Sequence, residues 1–369
     1  MHKSSQFDEG MGRTTLRCPI CKAAVDVKGR YCIKCGIFLT TFNKSDALRN
    51  LSTTSFLGRE TLISNHDTLS GRVLDDKYKL IRLLGEGGMG AVYLASRLHI
   101  GDKAAIKVLN RKTCTNDLLI KRFRREASTA AKSCDPRIVK IYDSGETADG
   151  LIYVVMEFIL APTMRTVLQR EGNFSPERAV RLMIEICDGI DAAHRQKIVH
   201  RDLKPENIMI LPPTEQRKHE SVVIVDFGLA KPLNLTRDQV LTEPGIMLGT
   251  MFYMSPEQLR GFEVDVRCDI YSLGAVLYEL LKGKPPFTGL SVAEVIAKHI
   301  LEEPPPLPAS LKIKPRLESV IRRALAKDPN SRYATVKEMA DALRESLQTS
   351  SSVPKRKRWL DLLTHFGSF

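Results

Sequence analysis

Apolar and polar positions alternate with a strand-like period of two over several short stretches in the first half of the chain. Tyr78–Leu84, Val92–Ala95, Ala104–Lys107, Ile138–Ser144 and Leu151–Phe158 read as strands, the last two joined by a turn at Asp149-Gly150. Between the third and fourth, Asp117–Ser133 carries a helical pattern. Helical periods dominate afterwards. Ser175-Pro176 offers a cap and a first-turn proline for a long amphipathic helix to about Gln196. Val222–Val225 reads as a short buried strand, reached through a polar loop at Leu211–Glu220. A largely apolar helix begins at Asp269 and runs to about Leu281, and patterns at Ser291–Leu301, Leu317–Ala326 and Thr335–Leu347 predict three more.

Two segments lack any sustained period. Residues 41–72 are rich in Ser, Thr and Asn and read as a flexible linker, and Gln348–Val353 is Ser-rich. The chain is thereby divided into an N-terminal piece 1–40, a linker 41–72, a folded body 73–347 and a tail 348–369. Its 369 residues, 43% of them hydrophobic, suffice for one large two-part body and a small appendage. No apolar run is long enough to span a bilayer, and Met1–Gly12 lacks the apolar core of a signal peptide, so a cytoplasmic location is expected. The net charge of +13 is spread along the chain rather than gathered in one stripe, and no specific nucleic-acid partner is expected from it.

Four of the eight cysteines cluster near the N-terminus, as Cys18-Pro-Ile-Cys21 and Cys32-Ile-Lys-Cys35 with ten residues between the pairs. That spacing lets four thiolates close a tetrahedron around Zn²⁺ while the intervening chain makes a hairpin, so short a segment drawing its folding energy from the metal. The piece resembles a zinc ribbon. Arg17, Lys22, Lys28, Arg30 and Lys34 suit the surface of a small protein-docking or structural module better than a nucleic-acid site. Cys114, Cys134, Cys187 and Cys268 are scattered, which argues against a disulfide framework.

The stretch that organises the rest is Val-His-Arg-Asp-Leu-Lys-Pro-Glu-Asn at 199–207, which sets Asp202, Lys204 and Asn207 close together after a helix. Upstream, Gly85-Glu-Gly87-Gly88-Met-Gly90 sits between two strands, where backbone N–H groups at a hairpin tip can approach phosphate oxygens because no Cβ intervenes. A dinucleotide fold would want a helix after the glycines, and here strands follow. Downstream, Asp226-Phe-Gly228 ends a buried strand nineteen residues after Asn207.

With Ala104-Ala-Ile-Lys107 and Ser255-Pro-Glu257, these motifs, in this order from about Tyr78 to Leu347, resemble a bacterial Hanks-type Ser/Thr protein kinase. The resemblance implies an α+β, bilobal fold with a β-rich N-lobe and an α-rich C-lobe. It implies an ATP site lined by Leu84, Gly85, Gly87, Gly90, Val92 and Ala105, with Met156 behind adenine and Glu157 and Ile159 in the hinge. Lys107 would hold the α- and β-phosphates, steadied by Glu126; Asp202 would act as base and Lys204 on the γ-phosphate; Asn207 and Asp226 would hold Mg²⁺ or Mn²⁺. Lys204 is the choice of Ser/Thr enzymes, so the implied partners are proteins with Ser or Thr acceptors. Thr163 stands where many members carry a ribose-binding acid, a departure from the family pattern. Thr250 would bond Asp202 and Lys204, Asp269 would touch the catalytic loop, and Arg332 would pair with Glu257. Arg201, beside Asp202, would pair with a phosphate placed on Thr236 or Thr242 of the activation segment. A silent nucleotide-binding scaffold usually loses a charged member of this set, and none is lost here. A small-molecule kinase of the same fold fits less well with the long activation segment and its Pro-Glu end. Past the body, Lys355-Arg-Lys-Arg358 precedes Trp359, Leu362, Leu363 and Phe366 on one helical face. That pairing suits weak contact with an anionic membrane surface at the inner face; a disordered tail or a helix packed on the kinase fits equally.

Overall fold

The computed structural model describes residues 69–87, 90–109, 135–227 and 251–348, together with the backbone of two short strands near the N-terminus. Those strands, β1 (Leu16–Arg17) and β2 (Ala24–Val25), pair antiparallel with Leu16 opposite Val25 and Arg17 opposite Ala24. The proposed zinc cysteines, the helix at 117–133 with Glu126, Thr236, Thr242, Thr250 and the tail after Gln348 lie outside the described residues.

The first lobe is a six-stranded antiparallel sheet. Its strands are β3 (Val73–Leu74), β4 (Tyr78–Gly87), β5 (Gly90–Arg97), β6 (Lys103–Leu109), β7 (Ile141–Glu146) and β8 (Ile152–Glu157), in the order β3-β4-β5-β6-β8-β7. The sheet continues through 73–74, where Asp75 and Asp76, both with positive φ, turn the chain so that Lys77 N–H meets the Leu74 carbonyl at 3.0 Å. The pleat sorts β6 onto two faces. Ala104, Ile106 and Val108 join Leu80, Tyr93, Tyr153 and Val155 in one core, while Ala105 faces the other way with Met156. β8 lies between β6 and β7 with both faces covered, which is why Ile152–Met156 is an unbroken apolar run.

The expected strand at Ile138–Ser144 begins later. Asp135 bonds the Arg137 backbone and side chain and holds a turn, and Ile138 instead makes a parallel bridge to Ile224. Val139 N–H donates to the Ile224 carbonyl (3.0 Å) and Ile224 N–H to the Arg137 carbonyl (2.7 Å), stitching the end of the first lobe to the second.

The second lobe is helical: α1 (Met164–Glu171), α2 (Pro176–Arg195), α3 (Pro256–Arg260), α4 (Arg267–Lys282), α5 (Val292–Leu301), α6 (Pro315–Ala324) and α7 (Val336–Leu347). The start of α2 follows its local signals, with the Ser175 hydroxyl accepting from Arg178 N–H and Pro176 in the first turn. α6 starts two residues before the apolar pattern because Pro315 supplies a pre-set first turn. α4 is buried on every side and is the post around which the lobe packs. It ends at Gly283, whose φ of 80° and whose approach to Gly172 leave no room for a side chain: a Cβ there would lie 2.5 Å from the Gly172 carbonyl oxygen.

Between the lobes, β9 (Ile208–Leu211) and β10 (Ser221–Ile224) form the expected hairpin around the polar loop. Ile210 N–H bonds the Pro162 carbonyl at 2.9 Å, and Thr163 bridges Met209. Ile208 and Ile210 therefore point into the helical core, and Met209 and Leu211 point back toward the sheet.

Candidate active site

The sheet presents Val92, Ala105 and Lys107 to the gap between the lobes, since Val92 is paired with Lys107 across β5 and β6, and Ala105 with Met156 across β6 and β8. Ala105, Met156, Val139 and Val223 form a small apolar cluster lined at its rim by Val92, Ile159 and Met209. A flat heteroaromatic ring suits such a sandwich, with apolar walls from both lobes and hinge backbone at one edge. Of the residues expected there, Val92, Ala105, Met156 and Ile159 converge; Leu84 remains exposed and outside the cluster. Glu157 N–H is directed to the Lys140 carbonyl (2.9 Å), so it serves the sheet. Gly90 lies so close to β6 that a Cβ would sit 2.0 Å from the Val108 carbonyl oxygen; Gly85 and Gly87 have open space around them.

Thr163 is committed elsewhere than to a ligand. Its hydroxyl accepts from Thr166 N–H at 3.1 Å and caps α1.

The charged groups converge at the far end of the gap. Lys107, almost fully buried, reaches from β6 to form a direct ion pair with Asp226, which follows the end of β10. Asp226 has φ 59°, a left-handed conformation that a non-glycine residue keeps only where its surroundings impose it. Arg201 has φ 62° for the same reason, and the device that imposes it is visible: Asp269, fully buried on α4, accepts 2.8 Å bonds from both His200 N–H and Arg201 N–H and from His194 Nε2. Burial raises the Asp269 carboxyl pKa, but the His194 bond and the backbone donors win, holding it below the ordinary carboxylate range.

His200 is fully buried and stacks against Phe227 at 4.6 Å. Burial lowers its pKa, so it stays neutral; Asp202 N–H donates to its Nδ1 at 3.3 Å, which assigns the proton to Nε2, facing the Val225 carbonyl at 3.4 Å. The loop is thus held from below at three consecutive residues. Asn207 completes it, its Nδ2 donating to the Asp202 carbonyl (2.9 Å) and to Asp202 Oδ2 (3.3 Å), while Lys204 Nζ lies 3.0 Å from Asp202 Oδ2. Val225 N–H bonds the Asn207 carbonyl at 2.9 Å and ties this loop to the strand end carrying Asp226. With its amide nitrogen spent on Asp202, Asn207 has its oxygen left to offer; beside the Asp226 carboxylate this makes a hard-oxygen pair of the kind that suits Mg²⁺.

Four features were not anticipated from the sequence. Met209 closes the apolar cluster from the second lobe. His200 positions the loop. Phe227 packs beneath it. Arg165 sits in a buried network, bonding Glu206 and Glu279 (both 2.7 Å) and Tyr253, whose hydroxyl donates to Glu279. Met209 had a readable signal, since the alternation Ile208-Met-Ile-Leu turns one residue in two away from the core. The Arg165 network had none, its members being up to 114 residues apart.

A sheet lobe over a helical lobe, with a lysine from the one meeting an acid from the other above an Asp/Lys/Asn loop, is the arrangement of a protein kinase. Residues 78–344 match the family model described as the protein kinase domain, and the chain belongs to that family. Its relatives are bacterial Hanks-type enzymes. The serine/threonine-protein kinase PknB of Mycolicibacterium smegmatis is 42% identical over 287 residues, 76% of this chain and 45% of the relative. The serine/threonine-protein kinase pkn3 of Myxococcus xanthus is 36% identical over 299 residues, 80% of this chain and 53% of the relative. The chain therefore spans about half the length of the curated relatives it matches. Among solved structures, the kinase domain of Mycobacterium tuberculosis PknI is similar with a TM-score of 0.58 at 28% identity, covering 76% of this chain and 98% of that one.

Proposed function

We propose that the chain transfers the γ-phosphate of ATP to Ser and Thr hydroxyls of proteins. The observation that carries this reading is the meeting of Lys107 with Asp226 across the lobes, directly above the hydrogen-bonded set Asp202, Lys204 and Asn207. In this reading Asp202 orients the acceptor hydroxyl and takes its proton, with Lys204 compensating charge on the moving phosphoryl group. Lys107 holds the α- and β-phosphates, released from Asp226 as the nucleotide enters and steadied by Glu126. Asp226 and Asn207 hold Mg²⁺, or Mn²⁺ in its place, which when bound neutralises charge on the β- and γ-phosphates. Val92, Ala105, Met156, Ile159 and Met209 enclose adenine, with Gly85, Gly87 and Gly90 over the phosphates. A silent scaffold has no need of an acid, a lysine and an amide bonded to one another at this point.

Arg201 is the regulatory residue in this account. Its Nε is buried with no hydrogen-bond partner among the described residues, as fits a guanidinium waiting for a phosphate on Thr236 or Thr242. Incubation with γ-labelled ATP tests the reading: label is expected on the chain itself and on proteins of a lysate, recovered as phosphoserine and phosphothreonine after acid hydrolysis. Label recovered as phosphotyrosine, or on no protein, contradicts it.

The N-terminal piece is a zinc ribbon in this account, with Cys18, Cys21, Cys32 and Cys35 as ligands and a structural or protein-docking role. The β1–β2 pairing supports it, because Cys18 directly follows one strand and Cys21 precedes the other, so both belong to the connection of a hairpin. Native mass spectrometry is expected to find a single Zn²⁺ per chain that is absent from the Cys18→Ser, Cys21→Ser variant; equal metal content in the two would refute the site.

A further inference from the structure

Helix α5 has one face in the protein and one in solvent. Val295 and His299 are buried, and Val292 and Ile296 pack against the cluster around Met251 and Met254. On the opposite side Leu290, just before the cap, and Ala293, Ala297 and Leu301 recur at spacings of three and four, all exposed; Leu290 is 102% and Leu301 76% accessible. Two large apolar ends flanking two alanines make a shallow seat in which another helix can approach closely. At the C-terminal end of the seat, Glu302 and Glu303 are exposed and add their charge to the negative end of the helix dipole.

The chain itself carries a segment of matching chemistry. Lys355-Arg-Lys-Arg358 is followed by Trp359, Leu362, Leu363 and Phe366 at the spacing of one helical face. The segment is within reach. Lys314, before α6, donates to the Ser346 carbonyl at the end of α7 (3.4 Å), and Lys327, after α6, donates to the His299 carbonyl near the end of α5 (2.9 Å). The ends of α7 and α5 are therefore separated by little more than the ten residues of α6, roughly 20 Å with its flanks at ~1.5 Å per residue. The chain from Thr349 to Lys355 spans up to about 24 Å when extended. It arrives at the acidic end of the seat with its basic run first.

We infer that the C-terminal segment docks in cis on the exposed face of α5, antiparallel to it, with Lys355–Arg358 against Glu302 and Glu303 and the Trp359–Phe366 stripe over Leu301, Ala297, Ala293 and Leu290. The short tether keeps the local concentration of the segment high, so a modest interface suffices. This surface is separate from the nucleotide site and does not depend on the activity proposed above.

Trp359 is the only tryptophan of the chain, so its fluorescence in the full-length protein reads the tail alone. Docking predicts a blue-shifted emission, poorly quenched by acrylamide and unchanged on dilution. The exposed-site double variant Glu302→Lys, Glu303→Lys is expected to lower the ratio of docked to free tail about fivefold, from two lost surface ion pairs. Leu301→Ser is expected to redden the emission as well. Emission of a fully solvated tryptophan in the unmodified chain overturns the proposal. So does a blue shift that appears only with phosphatidylserine vesicles, which assigns the segment to a membrane, or one that fades on dilution, which assigns it to a second copy.

Discussion

Replacing Asp202 by Asn is expected to lower kcat for phosphoryl transfer by about 10²–10⁴-fold, with KM for ATP little changed. The substitution keeps the shape of the side chain and the carbonyl that Asn207 bonds, but it removes the atom able to accept a proton from the acceptor hydroxyl. It also removes the negative charge facing Lys204 at 3.0 Å, and the lysine then lacks the partner that holds it near the reacting group. The loop backbone is anchored through His200 and Asp269, neither of which is altered, so the fold stays in place. Steady-state kinetics with a protein acceptor, alongside a thermal melt, check both halves of this expectation. A variant that keeps wild-type kcat removes Asp202 from the chemistry.

The second large effect is on stability. Arg332 is fully buried, and its two terminal nitrogens bond the two oxygens of Glu257 at 2.7 and 2.8 Å. It also donates to the carbonyls of Ala326 (2.8 Å) and Arg267 (2.9 Å) and lies over the Tyr271 ring. Arg332→Ala therefore strands a buried carboxylate and several carbonyls, and is expected to cost about 3–5 kcal/mol, read as a lower urea midpoint at unchanged slope. The double variant Arg332→Met, Glu257→Leu is expected to recover much of that loss, because removing both charges removes the desolvation cost of each. If the double variant is as unstable as the single one, the cost lies in the carbonyls rather than the ion pair. Glu257 sits in the first turn of α3, so loosening this pair also loosens the anchor of the segment that enters the site.

Short-range physics explains what the sequence disclosed. The β6 alternation, the Ser175-Pro176 start of α2 and the buried course of α4 each depend on residues a few positions apart, and each was legible. The spacing of Asp202, Lys204 and Asn207 within one loop, and the placement of Asp226 after a buried strand, carried the candidate site in the same way. Two expected long-range contacts are also present, Asp269 beneath the loop and Arg332 on Glu257; those came from family resemblance, since no local rule links positions 75 residues apart. Where only tertiary packing decides, the reading stopped. The start of β7 moved to Ile141 because Ile138 had a partner in β10, and Thr163 was spent on capping α1. Arg165 gathers Glu206, Glu279 and Tyr253 from three separate elements, which no pattern along the chain could indicate.

The account rests on Asp226 and Lys107 serving one nucleotide tail and its cation. Titrating ATP into the wild-type chain and into Asp226→Asn, each with Mg²⁺ and with a chelator, measures that directly. The wild type is expected to bind ATP more tightly with Mg²⁺ than without, and Asp226→Asn to show the same weak binding under both conditions. Undiminished Mg²⁺-dependent binding by Asp226→Asn would contradict the account.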